Sequence, residues 1–503
     1  MYSFEKIITQ KWLVVISYVT LSLIVFGIVL SGGFVFDDTL FVESNTAIRS
    51  LTNIFEFFVT SPVTGAGLDV SNFYRPLQTL IFALVYSVFG LTPFVFHLIP
   101  LVLHTINALF VRRLLIHLNF SDLSAYIGGI FFLLHPAQLE AVSYISGLAD
   151  PLALFFFFLG FFAFLKNQWR SILWCVLALL SKEWAVLFLP FILILSSTTW
   201  KNIPPPTLFF RKIFITLSTF LTSIYLVLKF TVLDFTGLGG LAENVPHLGV
   251  RLITFVATLW EYALILFFPL TLYLERPYEY ISQVVHPQFI FGILLIMLVF
   301  FISIYAYKKD QRVALGFSFM SVAFIPYTNI VPLNAIYLEH WLYIPLIGFI
   351  IVLSSLLEKI KNKKIVVIGF LIIILLFTVR DIQRNIDWTN TERFYLHEIA
   401  HNPTARIHNN LAMYYAEKSN YQDAIDHYKK SLAIDRSFPQ TYHNLGQTYR
   451  ALKRFEEAET MYKEALLLNH QFIHSYIALY NLYIEVGETE KAEEILFIIN
   501  SAR

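Results

Sequence analysis

Long apolar runs recur along this chain as far as about residue 381, and they constrain its fold more than any other feature. The runs at 12–32 and 287–307 are examples. About 20 apolar residues in an α-helix cross the hydrocarbon core of a bilayer. Because 57% of the residues are hydrophobic and only 14% are charged, we expect an all-α polytopic membrane protein.

Basic residues between the runs predict the topology, since lysine and arginine concentrate in cytosolic loops. The clusters at 112–113, 166–170, 201–212, 308–312 and 359–364 are therefore assigned to the cytosol. Eleven spans follow: 12–32, 93–115, 124–139, 151–166, 170–181, 184–199, 213–232, 287–307, 313–327, 341–357 and 364–380. Two further apolar stretches, 76–90 and 251–269, are expected to be surface or re-entrant helices, so the chain has about 11–13 membrane helices in all.

The first run follows a short polar start without an evident small-residue cleavage site, so we expect an uncleaved first span. The odd number of spans then places the C-terminal part opposite the N-terminus, on the non-cytosolic side. The net charge of +1 gives no indication of nucleic-acid binding. The single cysteine, Cys175, excludes an intramolecular disulfide and a cysteine-based metal site.

The C-terminal part, 395–503, is polar and repetitive. Leucine, tyrosine and alanine recur with a period of 34 residues: Leu411, Leu445 and Leu479; Tyr415, Tyr449 and Tyr483; Ala424, Ala458 and Ala492. This period, with small residues at close-packing positions, is typical of tetratricopeptide repeats, which are helix–turn–helix units stacked into a solenoid. The sequence predicts two domains, a membrane domain over 1–381 and a repeat domain over 395–503, with units at about 405–438, 439–472 and 473–503.

The first non-cytosolic loop carries the most informative polar residues. Asp37 and Asp38 lie just past the first span, where charge is costly and therefore indicates a functional site. Their apolar neighbours are expected to shift a pKa. In the same loop Arg75 stands between an aromatic residue and Pro76, where its guanidinium can bind a phosphate. The alternatives are an ordinary polar loop and an arginine that extends to the membrane surface.

Three later loops on the same side add further candidates. The second contains His135 and Glu140, whose spacing does not match a zinc-binding helix. The third places Lys182 and Glu183 between two apolar runs, which favours an anionic ligand for the lysine or a short polar turn. The last places Glu339 and His340 at the mouth of a span, where aromatic anchoring explains the neighbouring Trp341 and Tyr343.

Together these residues predict one cavity at the non-cytosolic membrane surface. A carboxylate there can take a proton from an attacking hydroxyl, and cations can stabilise a departing phosphate. This combination suits glycosyl transfer from a polyprenyl-phosphate sugar.

The ordered set of motifs resembles the transmembrane and tetratricopeptide-repeat-containing (TMTC) protein O-mannosyltransferases of the GT-C superfamily. The matching segments are Phe-Asp-Asp at 36–38, Tyr-Arg-Pro-Leu at 74–77, His-Pro-x-x-x-Glu-Ala-Val at 135–142, Gly-x-Ala-Asp at 147–150, Leu-Ser-Lys-Glu at 180–183 and Glu-x-x-Leu-Tyr-x-Pro at 339–345. They occur in the family's order over nearly the whole chain and are followed by the repeats.

The resemblance implies a GT-C fold and an inverting enzyme that uses a dolichyl- or polyprenyl-phosphate hexose, commonly mannose. By position, it implies that Asp37 is the base and that Asp38 supports it or contacts the acceptor. Arg75 and Lys182 would hold the donor phosphate. The pocket would be lined by His135, Glu140, Glu183, Glu339 and His340. The acceptor would be a protein serine or threonine or a glycan, bound by the concave face of the repeats.

Two departures from the family pattern affect the prediction. The animal enzymes carry arginine after the last-loop glutamate, where this chain has His340, and their repeat arrays are longer. The shorter repeat array favours a bacterial relative in the inner membrane over an endoplasmic-reticulum protein, and His340 leaves a phosphate-binding or structural role at its position open. A non-catalytic scaffold that recruits partners through its repeats, and a lipid transporter, stay open as alternatives. The sequence indicates no cofactor besides the lipid-linked sugar donor, and two adjacent aspartates leave a divalent cation open.

Overall fold

In the computed structural model the described residues are 9–66, 73–196, 205–233, 235, 245–274, 276, 279–333 and 335–501. Within these ranges the chain is helical and contains no β-strand. Lys201, predicted to lie in a basic loop, falls outside them. The chain divides into two compact units, Met1–Thr389 and Asn390–Arg503.

The first unit contains fourteen α-helices within its described residues. They are α1 (Lys11–Phe26), α2 (Pro76–Phe89), α3 (Pro93–His117), α4 (Asp122–Leu134), α5 (Leu139–Ser143), α6 (Ala149–Leu165), α7 (Arg170–Leu179), α8 (Phe188–Ser196), α9 (Leu208–Val227), α10 (Leu248–Phe267), α11 (Pro287–Tyr307), α12 (Gln311–Ala323), α13 (Pro345–Lys359) and α14 (Lys363–Asp387). Short 3₁₀ or π turns extend α1, α6 and α9, at Gly27–Ser31, Ile145–Leu148 and Leu228–Val232.

Seven helical segments in the described part of the chain are long and apolar enough to cross a membrane, and an eighth is formed if the bent pair Asp122–Leu134 and Pro136–Ser143 is one span. This number is lower than eleven because α7, α8, α12 and α13 have only 10, 9, 13 and 15 residues in the part of the chain that the structure describes, short of the roughly 20 that a crossing needs. Several membrane helices together support a multi-pass membrane protein.

The stretches 76–90 and 251–269, both expected to be surface or re-entrant helices, differ in length. Helix α10 has 20 residues and meets the criteria for a full span, whereas α2 has only 14. The positions of basic residues did not predict α10 as a span. Arg251 lies at the start of this helix, where its guanidinium donates to the Asn329 carbonyl at 2.6 Å. The parity of the predicted spans therefore gives no assignment for the side of the repeats.

The core of the first unit is built around α6, whose span is 83% buried. Its phenylalanines are close-packed, and Gly160 leaves room for the Phe188 ring, since a Cβ at that position would lie 2.3 Å from it. This packing holds the start of α6, at Ala149 and Asp150, in a fixed place. The candidate site is assembled around that end.

The second unit contains α15 (Thr391–His401) and three helix pairs. These are α16 (Ala405–Glu417) with α17 (Tyr421–Ile434), α18 (Pro439–Ala451) with α19 (Phe455–Leu468), and α20 (Ile473–Val486) with α21 (Thr489–Ser501). The first helices of the pairs begin at intervals of 34 residues, as the period predicts. The turns repeat too: Ser419, Lys453 and Gly487 have φ of 61°, 57° and 81°, so each repeat turns through a left-handed residue.

Candidate active site

Asp38 is held inside the first unit by segment 144–150. Its Oδ1 accepts hydrogen bonds from the Ser146 backbone N–H at 2.8 Å and the Ser146 hydroxyl at 2.7 Å. Its Oδ2 accepts from the Val35 N–H at 3.4 Å, and the residue is 1% exposed. Burial raises the pKa of Asp38 to about 7, although the bonds from Ser146 oppose this rise.

Asp37 is more accessible, being only partly buried. The Tyr144 hydroxyl hydrogen-bonds to its carboxylate. Its backbone carbonyl accepts from the N–H groups of Leu40 and Phe41, both at 2.9 Å. The preceding residue, Phe36, has a φ of 58°, an unusual conformation for a bulky residue that marks strain often found at functional sites. The turn therefore directs the two carboxylates differently.

A basic cluster forms around Glu183. The carboxylate lies 3.5 Å from Arg75 Nε and 3.8 Å from Lys229 Nζ, and it also accepts from the Tyr74 N–H at 3.2 Å. Although burial opposes ionisation of Glu183, Arg75 and Lys229 lower its pKa to about 2. The Arg75 guanidinium also lies over the Phe73 ring, 4.4 Å from its centroid.

Lys182 belongs to the same cluster. Its ammonium forms a buried ion pair with Asp150, whose other oxygen accepts from the Trp184 indole N–H at 3.2 Å. Asp150 is thus an ion-pair partner within the first turn of α6. Burial lowers the pKa of Lys182, and Asp150 opposes that effect. With Arg75, Lys182 and Lys229 against Asp150 and Glu183, the cluster carries a net charge of +1.

Segment 145–150 connects the basic cluster to Asp38. Ser146 and Asp150 are one helical turn apart, roughly 6 Å along the axis, and they bond Asp38 and Lys182 respectively. The Gln78 amide, one turn after Arg75 on α2, donates to the Ser146 carbonyl at 2.8 Å. The aspartates and the basic cluster therefore share one rigid support.

A second cluster contains the other predicted pocket residues. His340 Nδ1 lies 2.6 Å from Glu140 Oε1, and the His340 backbone N–H donates to Glu140 Oε2 at 3.2 Å. Arg276 donates to Glu339 at 2.6 Å. Burial raises the pKa of Glu339 to about 7 against the opposing effect of Arg276. Each of the two predicted acids, Glu140 and Glu339, is thus paired with a basic side chain rather than left open.

Aromatic contacts lead from this cluster to Asp37. A small cavity of about 10 Å³ is lined by Glu140, Glu339, Arg384 and Trp388, among others, and has room for about one water molecule. The Trp388 ring lies 5.3 Å from the Tyr144 ring, and Tyr144 bonds Asp37. Both clusters consequently contact segment 139–150, but each contacts different residues of that segment.

His135 has a structural role in these contacts. Its Nδ1 accepts from the Ala137 N–H at 3.2 Å, and its Nε2 lies 3.2 Å from the Leu266 carbonyl oxygen. The ring packs between Phe131 and Phe377, each at 5.2 Å. Since backbone groups engage both ring nitrogens, His135 stabilises the break between α4 and the turn Pro136–Gln138.

Several residues of the site were not predicted from the sequence. Lys229 lies within the apolar run 213–232, and Arg276 lies in a long loop without a motif. Tyr144 and Ser146 lie between two of the matching segments, 135–142 and 147–150, and were not predicted, although Ser146 holds Asp38. A lysine inside an apolar run was the one available signal, because such a charge needs a partner.

The donor set does not fit a divalent cation between the two aspartates. Both oxygens of Asp38 face hydrogen-bond donors, which leaves them poorly placed to bind a metal. Across the residues that the structure describes, no three histidine, cysteine, aspartate or glutamate side chains are grouped to hold a metal ion.

Comparisons with known proteins agree with this organisation. A tetratricopeptide-repeat family model matches 439–472, and a TPR-repeat model matches 413–453. A solved structure, the APC/C hetero-tetramer Cut9-Hcn1, aligns at 15% identity over 91% of this chain and 96% of its own. Its TM-score of 0.22 is too low to inform the fold.

Curated relatives match the chain over most of its length. The protein O-mannosyl-transferase F38B6.6 of Caenorhabditis elegans is 24% identical over 450 residues, 84% of this chain and 63% of that protein. The protein O-mannosyl-transferase TMTC3 of Homo sapiens is 25% identical over 454 residues, 80% of this chain and 49% of that protein. The chain therefore spans about half to two-thirds of the length of these relatives. This similarity and the repeats support the resemblance to TMTC-type proteins that the ordered motifs predict.

Proposed function

We propose that this protein is an inverting membrane glycosyltransferase of the GT-C type. It transfers a hexose, mannose in the first instance, from a polyprenyl-phosphate donor to a hydroxyl of a protein or glycan. The observation that carries the proposal is the arrangement at 36–38: an accessible Asp37 beside a buried Asp38 that Ser146 fixes in place. The names of the relatives supply the sugar and the reaction class.

In the proposed reaction Asp37 accepts the proton of the acceptor hydroxyl as its oxygen attacks the anomeric carbon. The bond from that carbon to the phosphate oxygen breaks, and polyprenyl phosphate leaves. A base positioned in this way typically contributes 10²–10⁴-fold in rate. Tyr144 orients the Asp37 carboxylate by its hydrogen bond, while Asp38 holds the turn.

The basic cluster receives the donor phosphate. Arg75, Lys182 and Lys229 outnumber Asp150 and Glu183, so an added phosphate finds an excess of positive charge in a buried site, where electrostatic attraction is strong. Lys182 keeps its bond to Asp150 and contributes charge, and Arg75, with a partly exposed guanidinium, supplies direct contacts. Glu140, Glu339 and their partners His340 and Arg276 shape the wall of the pocket.

The proposed location is a bacterial inner membrane, with Asp37 and the repeats on the non-cytosolic side, where the repeats bind the acceptor polypeptide. Single-cysteine labelling tests this topology. The sole natural cysteine, Cys175, is buried and would be replaced by alanine. A cysteine at the exposed Ser437 should react with an impermeant maleimide from the non-cytosolic side, and one at Lys308 from the cytosolic side. Labelling of both from one side would refute the assignment.

Sugar transfer by purified full-length protein in nanodiscs tests the activity. Wild type, Asp37→Asn and the matched control Glu43→Gln, an exposed acid of the same loop, would receive labelled polyprenyl-phosphate mannose and a pool of serine/threonine peptides. Transfer by wild type and control but not by Asp37→Asn, with donor binding retained, supports the proposal. Equal transfer by all three removes Asp37 from the base role. Wild type that binds neither donor nor acceptor favours the non-catalytic scaffold.

A further inference from the structure

A basic cavity of about 160 Å³ lies at the other end of α3 and α6 from the aspartates. It is bounded by the cations Arg113, Lys166 and Arg170 and by the aromatic rings of Phe110, Phe162 and Trp174. Lys166 is sixteen residues beyond Asp150 along α6, roughly 24 Å at 1.5 Å per residue. That distance approaches the thickness of the hydrocarbon core, so the cavity lies at the opposite membrane boundary.

The cavity has an excess of positive charge. Among the described residues that line it there is no aspartate or glutamate. The neighbouring Arg112 pairs with Asp122 at 3.6 Å, whereas the Arg113 guanidinium lies over the Phe162 ring, 4.1 Å from its centroid. Arg170 is held by the Gln168 side chain, whose Oε1 accepts from its Nε at 2.8 Å. Three cations thus face one small volume.

The walls of the cavity are apolar and continue onto the outer surface of the unit. Leu159 and Phe110 are partly buried lining residues. Trp169 and Leu173, the chain neighbours of the lining residues Arg170 and Trp174, are 52% and 53% exposed. A tryptophan at this depth is typical of the membrane–water interface, and an exposed leucine there faces acyl chains. The cavity therefore combines a cationic floor with a path for hydrocarbon.

We propose that this cavity binds the headgroup of an anionic phospholipid. The phosphate would sit among Arg113, Lys166 and Arg170, and the acyl chains would follow the surface of α7 along Trp169 and Leu173. Basic pockets between membrane helices on the cytosolic side are suited to anionic headgroups, and the basic residues of this loop predict that side. The site is separate from the proposed donor site and does not depend on the proposed function.

Native mass spectrometry of the full chain tests the proposal. Wild type, Arg113→Gln/Lys166→Gln/Arg170→Gln and the control Lys308→Gln/Lys361→Gln/Lys364→Gln would be titrated with phosphatidylglycerol and with phosphatidylcholine of the same chains. The control removes equal charge from exposed sites predicted to lie on the same membrane side. The cavity variant should lose phosphatidylglycerol affinity on the order of a hundredfold, and the control should keep it.

Three results would overturn the proposal: equal loss in the control, equal binding of the two lipids by wild type, and displacement of the lipid by millimolar inorganic phosphate. The last would make the site one for a soluble phosphate. Melting temperatures in detergent check folding. If the triple variant unfolds, Lys166→Gln/Arg170→Gln replaces it, since both side chains are exposed, with a smaller expected loss.

Discussion

Ser146 donates two hydrogen bonds to a single oxygen of Asp38, from its backbone N–H at 2.8 Å and from its hydroxyl at 2.7 Å. An acid whose oxygens are engaged in this way, and which is 1% exposed, has little access to a substrate proton. Asp37, half-buried and bonded by Tyr144, has such access. The two adjacent acids therefore have different roles, one structural and one open to chemistry.

The first prediction separates these roles by kinetics. Asp37→Asn should lower kcat about 10²–10⁴-fold, because it removes the base. Asp38→Asn keeps an acceptor oxygen for Ser146 and should cost about tenfold or less, the equivalent of one weakened hydrogen bond. Initial rates of mannose transfer at saturating donor measure both. A larger loss in Asp38→Asn than in Asp37→Asn would reverse the assignment.

The second prediction concerns stability against pH. Burial raises the pKa of Asp38 to about 7, while an aspartate in the unfolded chain has a pKa near 3.9. Between these values the folded protein binds the extra proton, so the contribution of Asp38 to the free energy of unfolding is complete below about pH 4 and is lost as pH rises through about 7. Asp38→Asn lacks this dependence.

The free energy of unfolding, measured in detergent from pH 4.5 to 8, would show this pH dependence. The stability of Asp38→Asn relative to wild type should rise with pH and level off above about 7. Glu339, whose burial also raises its pKa to about 7, contributes equally to both proteins and cancels in the difference. Glu43→Gln is the control and should run parallel to wild type. A flat difference for Asp38→Asn would mean that the carboxyl ionises normally.

The sequence was sufficient to predict the helices, the 34-residue period and most acids of the site, because each has a local signature. It could not predict their partners. Asp150 meets Lys182 across 32 residues, and Glu339 meets Arg276 across 63, and no pattern connects the members of either pair. The lengths of the membrane helices could not be predicted either. Polar segments such as 180–183 fold into the unit, so they do not mark the ends of full membrane crossings.

The third prediction concerns the pair of Lys182 and Asp150, whose side chains are 8% and 1% exposed. Lys182→Met should destabilise the protein by about 3–5 kcal/mol, because it leaves a buried carboxylate without its cation. Lys182→Met/Asp150→Leu should recover much of this loss, since the remaining charge is removed as well. The exposed Lys309→Met serves as control. Chemical unfolding in detergent measures each variant, and a double variant less stable than Lys182→Met would contradict the argument.

The fourth prediction tests packing within the repeats. Gly446 on α18 faces the Tyr462 ring of α19, and a Cβ at this position would lie 2.7 Å from Cε1 and 2.8 Å from Cδ1. Tyr462 is fully buried, so its ring cannot move out into solvent. Gly446→Ala should therefore cost about 1–3 kcal/mol by overpacking, although alanine is the better helix former.

Hydrogen exchange of the full chain locates this cost. Amide exchange over 439–468 should accelerate on the order of tenfold to a hundredfold, because local opening of the helix pair becomes easier by that free energy. Gln447→Ala, at an exposed position on the same helix, should leave exchange nearly unchanged. If Gly446→Ala slows exchange instead, the gain in helix propensity exceeds the steric cost, and the close contact of Gly446 with Tyr462 cannot be what sets the spacing of α18 and α19.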